Sequence, residues 1–307
     1  MAQPPTTELV KKARGCMTID WEDFGQLFCW YQFETIPKPQ ADIERQTDMV
    51  LELLDETGVH ATFFVLGMLA KHRPDLVKKI HGEGHEIAIH GTNHVHLTRL
   101  DRAAARQDIG DSVSLISDII GGSVHGFRAP IFSITRENLY VLDLLAELGL
   151  EYDSSIFPKA MPRYGIEGFD PEPRNYKLPE GGRIVELPLT ILPWGGWDWP
   201  VAGGGYVRLL PRFMMDPMVE RLGEIGRTYM IYTHPYEFDP EPLDIASNFP
   251  ANNRYPAWKR LALNFKWNLF RDSFRGKTKH LLKSLSFSTC KEIADDIKNN
   301  QCTRLLE

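Results

Sequence analysis

Between residues 14 and 234 the chain alternates short apolar runs with segments of helical period. Residues 14–20, 61–66, 86–89, 125–127, the stretch closing on Tyr152-Asp153, 184–187 and 228–233 read as strands. Between them, Ile43, Thr47, Val50, Leu51 and Leu54 recur at helical spacing ahead of Gly58, and Pro74 opens a helix that stops at Gly82. Asp101 suits the N-cap of a helix running to about Ile119, and Leu139, Leu142, Leu145 and Leu148 lie near one face of another over 135–149. Residues 211–225 continue the helical pattern. Such alternation specifies a mostly parallel sheet, open or closed into a barrel. The carboxyl ends of parallel strands share one face, which is where α/β proteins place chemistry. Asp20, His90, Arg128, Asp153 and His234 all fall at or just after such ends. Five reactive side chains on one rim are harder to ascribe to chance than any one alone.

The most informative run is Gly84-His85-Glu86-Ile87-Ala88-Ile89-His90-Gly91-Thr92-Asn93-His94. It delivers two imidazoles four residues apart, with Gly91 to let the backbone turn, and imidazole is the commonest protein ligand for zinc and its neighbours. In a chain with ten histidines the pair alone is ambiguous. His85 reads as a packing or capping residue at the strand entrance, and His81 and His96 as exposed helix-end or loop residues. The first strand runs into Asp20, Glu22 and Asp23, a carboxylate supply beside the proposed rim.

Other stretches lack the helical period. Residues 28–40 read as an aromatic, proline-containing loop, and 157–183 as an irregular segment rich in proline and glycine. Trp194, Trp197 and Trp199 fall within six residues, around Gly195-Gly196 and ahead of Gly203-Gly204-Gly205. Each carries a large apolar face, so they either plug the end of a barrel or form a platform for a ring-shaped ligand. Over 257–283, eight basic residues and the single acid Asp272 are interleaved with Leu261, Leu263, Phe265, Trp267, Leu269, Phe270 and Phe274. That composition suits a helix packed on a barrel with a solvated basic face, and equally an interfacial membrane contact. Thr289-Cys290-Lys291-Glu292 has capping-box spacing for a last helix to about Asn299.

Four ordered motifs carry a resemblance. Thr18-Ile19-Asp20-Trp21-Glu22-Asp23, His90-Gly91-Thr92-Asn93-His94, Arg128-Ala129-Pro130 and Tyr232-Thr233-His234-Pro235 resemble those of the polysaccharide deacetylases, carbohydrate esterase family 4 with the NodB homology domain. The acidic triplet resembles the branch associated with bacterial surface-polysaccharide synthesis. The resemblance covers roughly residues 14 to 240. It implies a distorted, incomplete (β/α) barrel of about seven strands and metal-dependent removal of acetyl groups from N-acetylated sugars. Carried over by motif, Asp20 is the catalytic base, His234 the general acid, and Arg128 the group that orients Asp20. Asp23 with His90 and His94 holds one divalent transition ion, zinc first, with cobalt or nickel as alternatives. Since Glu22 and Asp23 stand where the common pattern has one aspartate, the choice between them is open, with Asp23 favoured. Trp194, Trp197, Trp199, Asp198, Tyr206, Arg208 and Pro130 are the expected substrate contacts.

These residues suit amide hydrolysis on chemical grounds too. An amide needs an activated water, a Lewis acid for the developing oxyanion and a proton for the departing amine. An Asp-His-His set leaves coordination positions open. The expected organisation is a catalytic domain over 1–255 and a C-terminal helical extension over 256–307 packed on it. Net charge −6 and a pI near 6.0 supply no field for nucleic acid. The polar start of the chain, the absence of a run of ~18 apolar residues and the wide spacing of Cys16, Cys29, Cys290 and Cys302 suggest a cytoplasmic protein, with a peripheral place at an anionic inner membrane open to the basic segment. Nothing in the sequence sets an oligomeric state. Two rival readings are a catalytically silent glycan or nucleotide-sugar binder and a metal-independent cyclic-amide hydrolase on the same scaffold.

Overall fold

The computed structural model describes residues 14–35, 37, 42–201, 203–245, 248–249, 255–300 and 304–306. The polar start of the chain and Cys302 lie outside them. The sheet is built around β1, Arg14–Trp21. Beside it stand β2 (Thr62–Val65), β3 (Glu86–Ile89), β4 (Gly126–Phe127) and β5 (Tyr152–Asp153). The later strands are β6 (Arg174–Lys177), β7 (Arg183–Glu186), β8 (Ile191–Trp194), β9 (Trp197–Pro200), β10 (Tyr229–Thr233), β11 (Ser286–Phe287) and β12 (Arg304–Leu305). The order is β10-β1-β2-β3-β4-β5-β7-β6-β12, with β11 also on β1. From β10 to β7 every pairing is parallel, seven strands in all. β6 then pairs antiparallel with β7, and β12 parallel with β6. Among the described residues no pairing joins β10 to β12, so the sheet is a curled, incomplete barrel.

Period-two alternation sorts β1 into two faces. Met17, Ile19 and Trp21 enter the larger core with Val50, Leu54, Leu69, Val77 and Ile109 from the surrounding helices. Cys16 points the other way, into a core with Phe64, Ala88, Tyr152, Val185 and Met230. Asp20 is two pleats along from Cys16, so the register that buries the aliphatic face also turns this carboxylate inward; sliding by one residue would reverse both. At Gly126 an added Cβ would stand 1.9 Å from Tyr152 Cζ. Its absence lets the Tyr152 hydroxyl donate to Glu86 Oε1 at 2.7 Å.

The helical expectations hold at Ile43–Thr57, closed by Gly58 at φ 65°, at Pro74–Gly82, and at Arg102–Ile120, where Asp101 Oδ1 accepts from the Ala104 amide at 2.8 Å. His85 is buried and its Nδ1 accepts from the Ala61 amide at 3.3 Å, a strand-entrance cap. The last helix, Cys290–Asn300, has its expected capping box: the Thr289 amide donates to Glu292 Oε2 and the Glu292 amide to Thr289 Oγ1. Its first turn is anchored on the sheet. The Cys290 amide donates to Thr62 Oγ1 at 2.8 Å and the Lys291 amide to Glu86 Oε2 at 3.0 Å, while Ile293, Ala294 and Ile297 join the inner core.

Four local expectations change. The loop assigned to 28–40 begins as a helix, Phe24–Phe33, which buries Phe24, Leu27 and Phe28 in an aromatic cluster with Tyr236 and Phe249. β6 lies within the segment read as irregular; as the sequence Arg-Asn-Tyr-Lys it has little apolar content for a pattern to detect. The tryptophan stretch is a two-stranded hairpin turning at Gly195 and Gly196, whose φ values of 61° and 80° match the left-handed turn that hairpins favour. Trp194, Trp197 and Trp199 are 40%, 72% and 43% exposed, so they do not plug the barrel. The basic segment divides into Ala257–Asn268, with no buried residue, and Phe274–Ser284, which buries Phe274, Thr278, Leu281 and Leu282.

Candidate active site

The carboxyl ends of β1, β3, β4 and β10 bring Asp20, His90, Arg128 and His234 together. Arg128 is fully buried and lies with its guanidinium 4.0 Å over the Phe64 ring. Its Nη1 donates to Asp20 Oδ1 at 2.6 Å and to Thr18 Oγ1 at 2.8 Å, and its Nε and Nη2 donate to the Ser154 carbonyl and hydroxyl at 3.1 and 3.0 Å. A cation so constrained fixes Asp20 in place. Asp153, the fifth residue expected on the rim, is elsewhere. Its carboxylate accepts from the Ser155 hydroxyl and amide and sits beside Glu186, fully buried.

The carboxylate that joins the two histidines is Glu22 rather than Asp23. One ligand atom from each of Glu22, His90 and His94 lies within 4.8 Å of the others, all three residues buried. Asp23 turns the other way: its Oδ1 accepts from the Gln26 amide at 3.1 Å and caps the helix Phe24–Phe33. The helix absent from the sequence reading therefore decides which carboxylate joins the histidines, because the residue that caps it is turned to the Gln26 amide.

His90 is held for ligation. Its Nδ1 lies 2.8 Å from the Arg128 carbonyl, which calls for a proton on that nitrogen and leaves Nε2 as the free acceptor. Burial lowers the His90 imidazole, favouring the neutral ring that a metal requires. His94 adopts φ 52°, a rare conformation for a residue with a side chain, and Trp30 packs edge-on against its ring at 6.1 Å. His94 Nε2 is 2.7 Å from Glu22 Oε2, yet that oxygen and His94 Nδ1 are both buried without a hydrogen bond. Unsatisfied atoms of this kind cost about 1–3 kcal/mol each. One carboxylate and two imidazoles, with two orphaned buried polar atoms among them, fit a divalent transition ion.

His234 closes the other side. Its Nε2 is 3.3 Å from Glu22 Oε1, and its Nδ1 and backbone amide both face Glu237 Oε2, at 3.3 and 3.1 Å. Tyr236 stacks on the ring at 5.3 Å and 23°. Burial alone would lower this imidazole, but the hydrogen bonds to Glu22 and Glu237 outweigh it and push the pKa up to about 10. Burial would likewise raise Glu22, but His94 and His234 beside it hold the carboxyl well below the usual range. The sequence reading missed Glu237, although the spacing His234-Pro235-Tyr236-Glu237 is that of a capping box and could have signalled it.

The expected substrate contacts divide. Pro130 is buried near Gly91, at the start of a turn in which Ile131 and Phe132 both have positive φ, 59° and 54°. Tyr206 is half-buried beside Tyr164. The hairpin is fastened to its surroundings by Lys159 Nζ on the Asp198 carbonyl, and Trp199 Nε1 donates to the Trp194 carbonyl. Among the described residues no ring contact or hydrogen bond ties its tryptophans to the cluster. Arg208 faces away from the hairpin, buried, with Nη1 donating to the Trp267 carbonyl at 3.1 Å.

Comparison with known proteins bears on this geometry. Residues 28–152 match the sequence model described as polysaccharide deacetylase. Over these residues the chain is similar to the polysaccharide deacetylases. Residues 154–295 match a domain of unknown function, DUF3473. The deacetylase match contains His90, His94 and Arg128, whereas His234, Glu237 and the hairpin fall in the second match, and Asp20 and Glu22 precede both. Chitooligosaccharide deacetylase of Sinorhizobium fredii is 35% identical over 127 residues, 39% of this chain and 56% of that protein. The enzyme of the same name from Rhizobium leguminosarum bv. trifolii is 39% identical over 80 residues, 26% of this chain and 35% of that one. Chitin deacetylase 1 of Cryptococcus neoformans is 30% identical over 104 residues, 34% of this chain and 22% of that one. The matches thus span about half or less of these curated relatives. Among solved structures, a Mycobacterium smegmatis protein described as a polysaccharide deacetylase superposes with a TM-score of 0.63 at 20% identity, covering 100% of this chain and 96% of its own. The Puue allantoinase superposes at 0.58 and 16%, covering 98% and 95%. The fold shared with these two structures therefore extends over nearly the whole chain, and the fold alone does not select the substrate.

Proposed function

We propose that this chain is a metal-dependent N-deacetylase acting on an amino sugar of a bacterial surface polysaccharide or lipopolysaccharide. The observation that carries the reading is the placement of Asp20, paired with Arg128, and of His234, paired with Glu237, on either side of the Glu22-His90-His94 cluster. Glu22, His90 and His94 would hold a divalent transition ion, zinc first among them. Bound there, the ion supplies Lewis-acid polarisation and an acidified water.

The chain's own residues supply the rest. Asp20, held by the Arg128 guanidinium, takes the proton from the attacking water. His234 carries a proton at neutral pH and gives it to the departing amine, while Glu237 on Nδ1 keeps Nε2 directed inward. The names of the relatives, which refer to chitooligosaccharide and chitin deacetylation, favour an N-acetylglucosamine-type substrate. The exposed tryptophan hairpin offers flat apolar surface to sugar rings, with Asp198 and Tyr206 as polar contacts. We place residues 1–255 as the catalytic unit, with 256–307 as its C-terminal extension, and the protein in the cytoplasm.

The test is acetate release from N-acetylated oligosaccharides, nucleotide sugars and lipid-linked sugars, before and after chelation and with zinc, cobalt or nickel restored. Release from at least one amino sugar, lost on chelation and recovered with metal, is the expected result. Hydrolysis of a cyclic amide without added metal, and no acetate from any sugar, would replace this reading with its rival.

A further inference from the structure

Among the described residues nine large apolar side chains are markedly exposed. Three belong to the tryptophan hairpin. The other six are Leu209, Phe213, Trp258, Leu261, Phe265 and Phe270, on or next to the C-terminal helices. Trp258, Leu261 and Phe265 are 70%, 70% and 65% exposed, and at positions i, i+3 and i+7 they share one face of the helix Ala257–Asn268. The helix is not loose. Its inner face holds Leu263 and Trp267 against the aromatic cluster of Phe24 and Phe28, and Arg208 bonds the Trp267 carbonyl. A short helix with two opposite apolar faces, one packed and one open, calls for a second apolar partner.

Charge indicates which partner. Lys259, Arg260 and Lys266 are exposed on this helix, which contains no acid, and none of them makes an ion pair with a described residue. Beyond this helix, four of the segment's five remaining basic residues are engaged, Lys283 being exposed. Arg271 is buried on the Tyr236 and Asp239 carbonyls, Arg275 and Lys279 both pair with Glu56, and Lys277 donates to the Arg208 carbonyl. Three cations with no ion-pair partner among the described residues, Lys259 also lying 4.3 Å over the Tyr255 ring, flank an outward aromatic face and, in a chain of net charge −6, complement an anionic surface with an apolar interior. Across a two-fold axis the same helix would set cations against cations with no acid from either side, which disfavours a second copy. No described helix is long and apolar enough to cross a membrane.

We propose that the helix Ala257–Asn268 lies in the surface of an anionic phospholipid bilayer. Trp258, Leu261 and Phe265 enter the boundary between headgroups and acyl chains, and Lys259, Arg260 and Lys266 meet the phosphates. The attachment is next to the catalytic mouth, because Trp267 packs edge-on against Tyr236 at 6.0 Å and Tyr236 stacks on His234. A substrate held at the membrane would thus be presented where the acid catalyst stands. That consequence rests on the deacetylase reading, whereas the binding itself does not.

Flotation of the full chain with phosphatidylcholine vesicles, with and without phosphatidylglycerol and at low and high salt, tests this directly. The wild type should float with the anionic vesicles at low salt and less so at high salt. Each basic residue near such a surface is worth about fivefold in partitioning, so Lys259→Gln/Arg260→Gln/Lys266→Gln should weaken it by roughly a hundredfold. Trp258→Ser/Leu261→Ser/Phe265→Ser should abolish it with an unchanged thermal melt, as these side chains are exposed. Quenching of tryptophan fluorescence by brominated lipid, diminished in Trp258→Phe, gives a second reading that does not depend on the triple variant folding. Failure of the wild type to float with anionic vesicles, or equal flotation of the apolar variant, overturns the proposal. A wild-type dimer that the apolar variant splits, without vesicle binding, assigns the face to a second copy instead.

Discussion

Changing Gly204 to alanine should disable His234, the proposed acid, without touching it. Gly204 opens the helix Gly204–Leu209, and a Cβ added there would stand 2.1 Å from Glu237 Oε2, 2.6 Å from its Cδ and 2.7 Å from its Oε1. Ordinary carbon contacts lie near 3.5 Å, so the carboxylate must retreat by about 1.4 Å. Oε2 is the atom that faces both the His234 amide and Nδ1, and its withdrawal releases the ring. Misplacing a catalytic group by about an ångström costs up to ~10²-fold. We expect kcat for acetate release to fall 10- to 100-fold (order of magnitude), with KM and bound metal little changed. Overpacking should also cost roughly 1–3 kcal/mol of stability, so the assay belongs well below the melting transition. Glu237→Ala and the double variant separate cause from coincidence. If the effect passes through Glu237, the double variant is no slower than Glu237→Ala alone. Wild-type turnover in Gly204→Ala, or losses that simply multiply in the double variant, would refute the reasoning.

Three further outcomes are expected. Glu22→Gln and His94→Ala should each lose bound metal by elemental analysis, whereas Asp23→Asn should keep the metal, and Asp23→Ala should lower stability by about 1 kcal/mol through the lost helix cap. Burial, together with the adjacent Asp153, pushes the Glu186 carboxyl well above its usual range. Folding therefore favours its protonated form, and this contribution, complete below the ordinary carboxylate range, is lost as pH rises from that range through the folded value. In urea titrations across pH, Glu186→Gln should lose less stability than the wild type toward alkaline pH; an unchanged slope would remove Glu186 from the account. Trp197→Ala, at a highly exposed position, should raise KM for an oligosaccharide while leaving kcat and the melting temperature nearly unchanged; an unaffected KM would end the platform role.

The legible parts of the molecule were those in which local chemistry and tertiary packing agree. β3 and the helices Ile43–Thr57 and Pro74–Gly82 combine apolar period with caps that stop the chain where the pattern stops. Asp20, His90, Arg128 and His234 were readable because each lies at or just after the end of a strand, and parallel strands place such residues on one edge. Glu22 was not, since choosing it over Asp23 depends on knowing that a helix begins at Phe24 and must be capped. That helix, Phe24-Gly-Gln-Leu-Phe-Cys-Trp-Tyr-Gln-Phe33, is apolar around much of its circumference, so no amphipathic stripe marked it. Asp153 misled in the opposite direction: the end of β5 lies on the rim, but its carboxylate turns to Ser155 and Glu186.

The anchoring of the helix Cys290–Asn300 on Thr62 and Glu86 affects the order in which the molecule can be made. Along the chain β1 comes long before its companions: β10 follows more than two hundred residues on, and β11 and the last helix later still. Until then its inward face, with Cys16 and Asp20, has no floor beneath it and one neighbour missing. Glu22, His90 and His94 all precede β10 in the chain, so the residue that comes from the other side of β1, His234, can face them only once β10 has paired with β1.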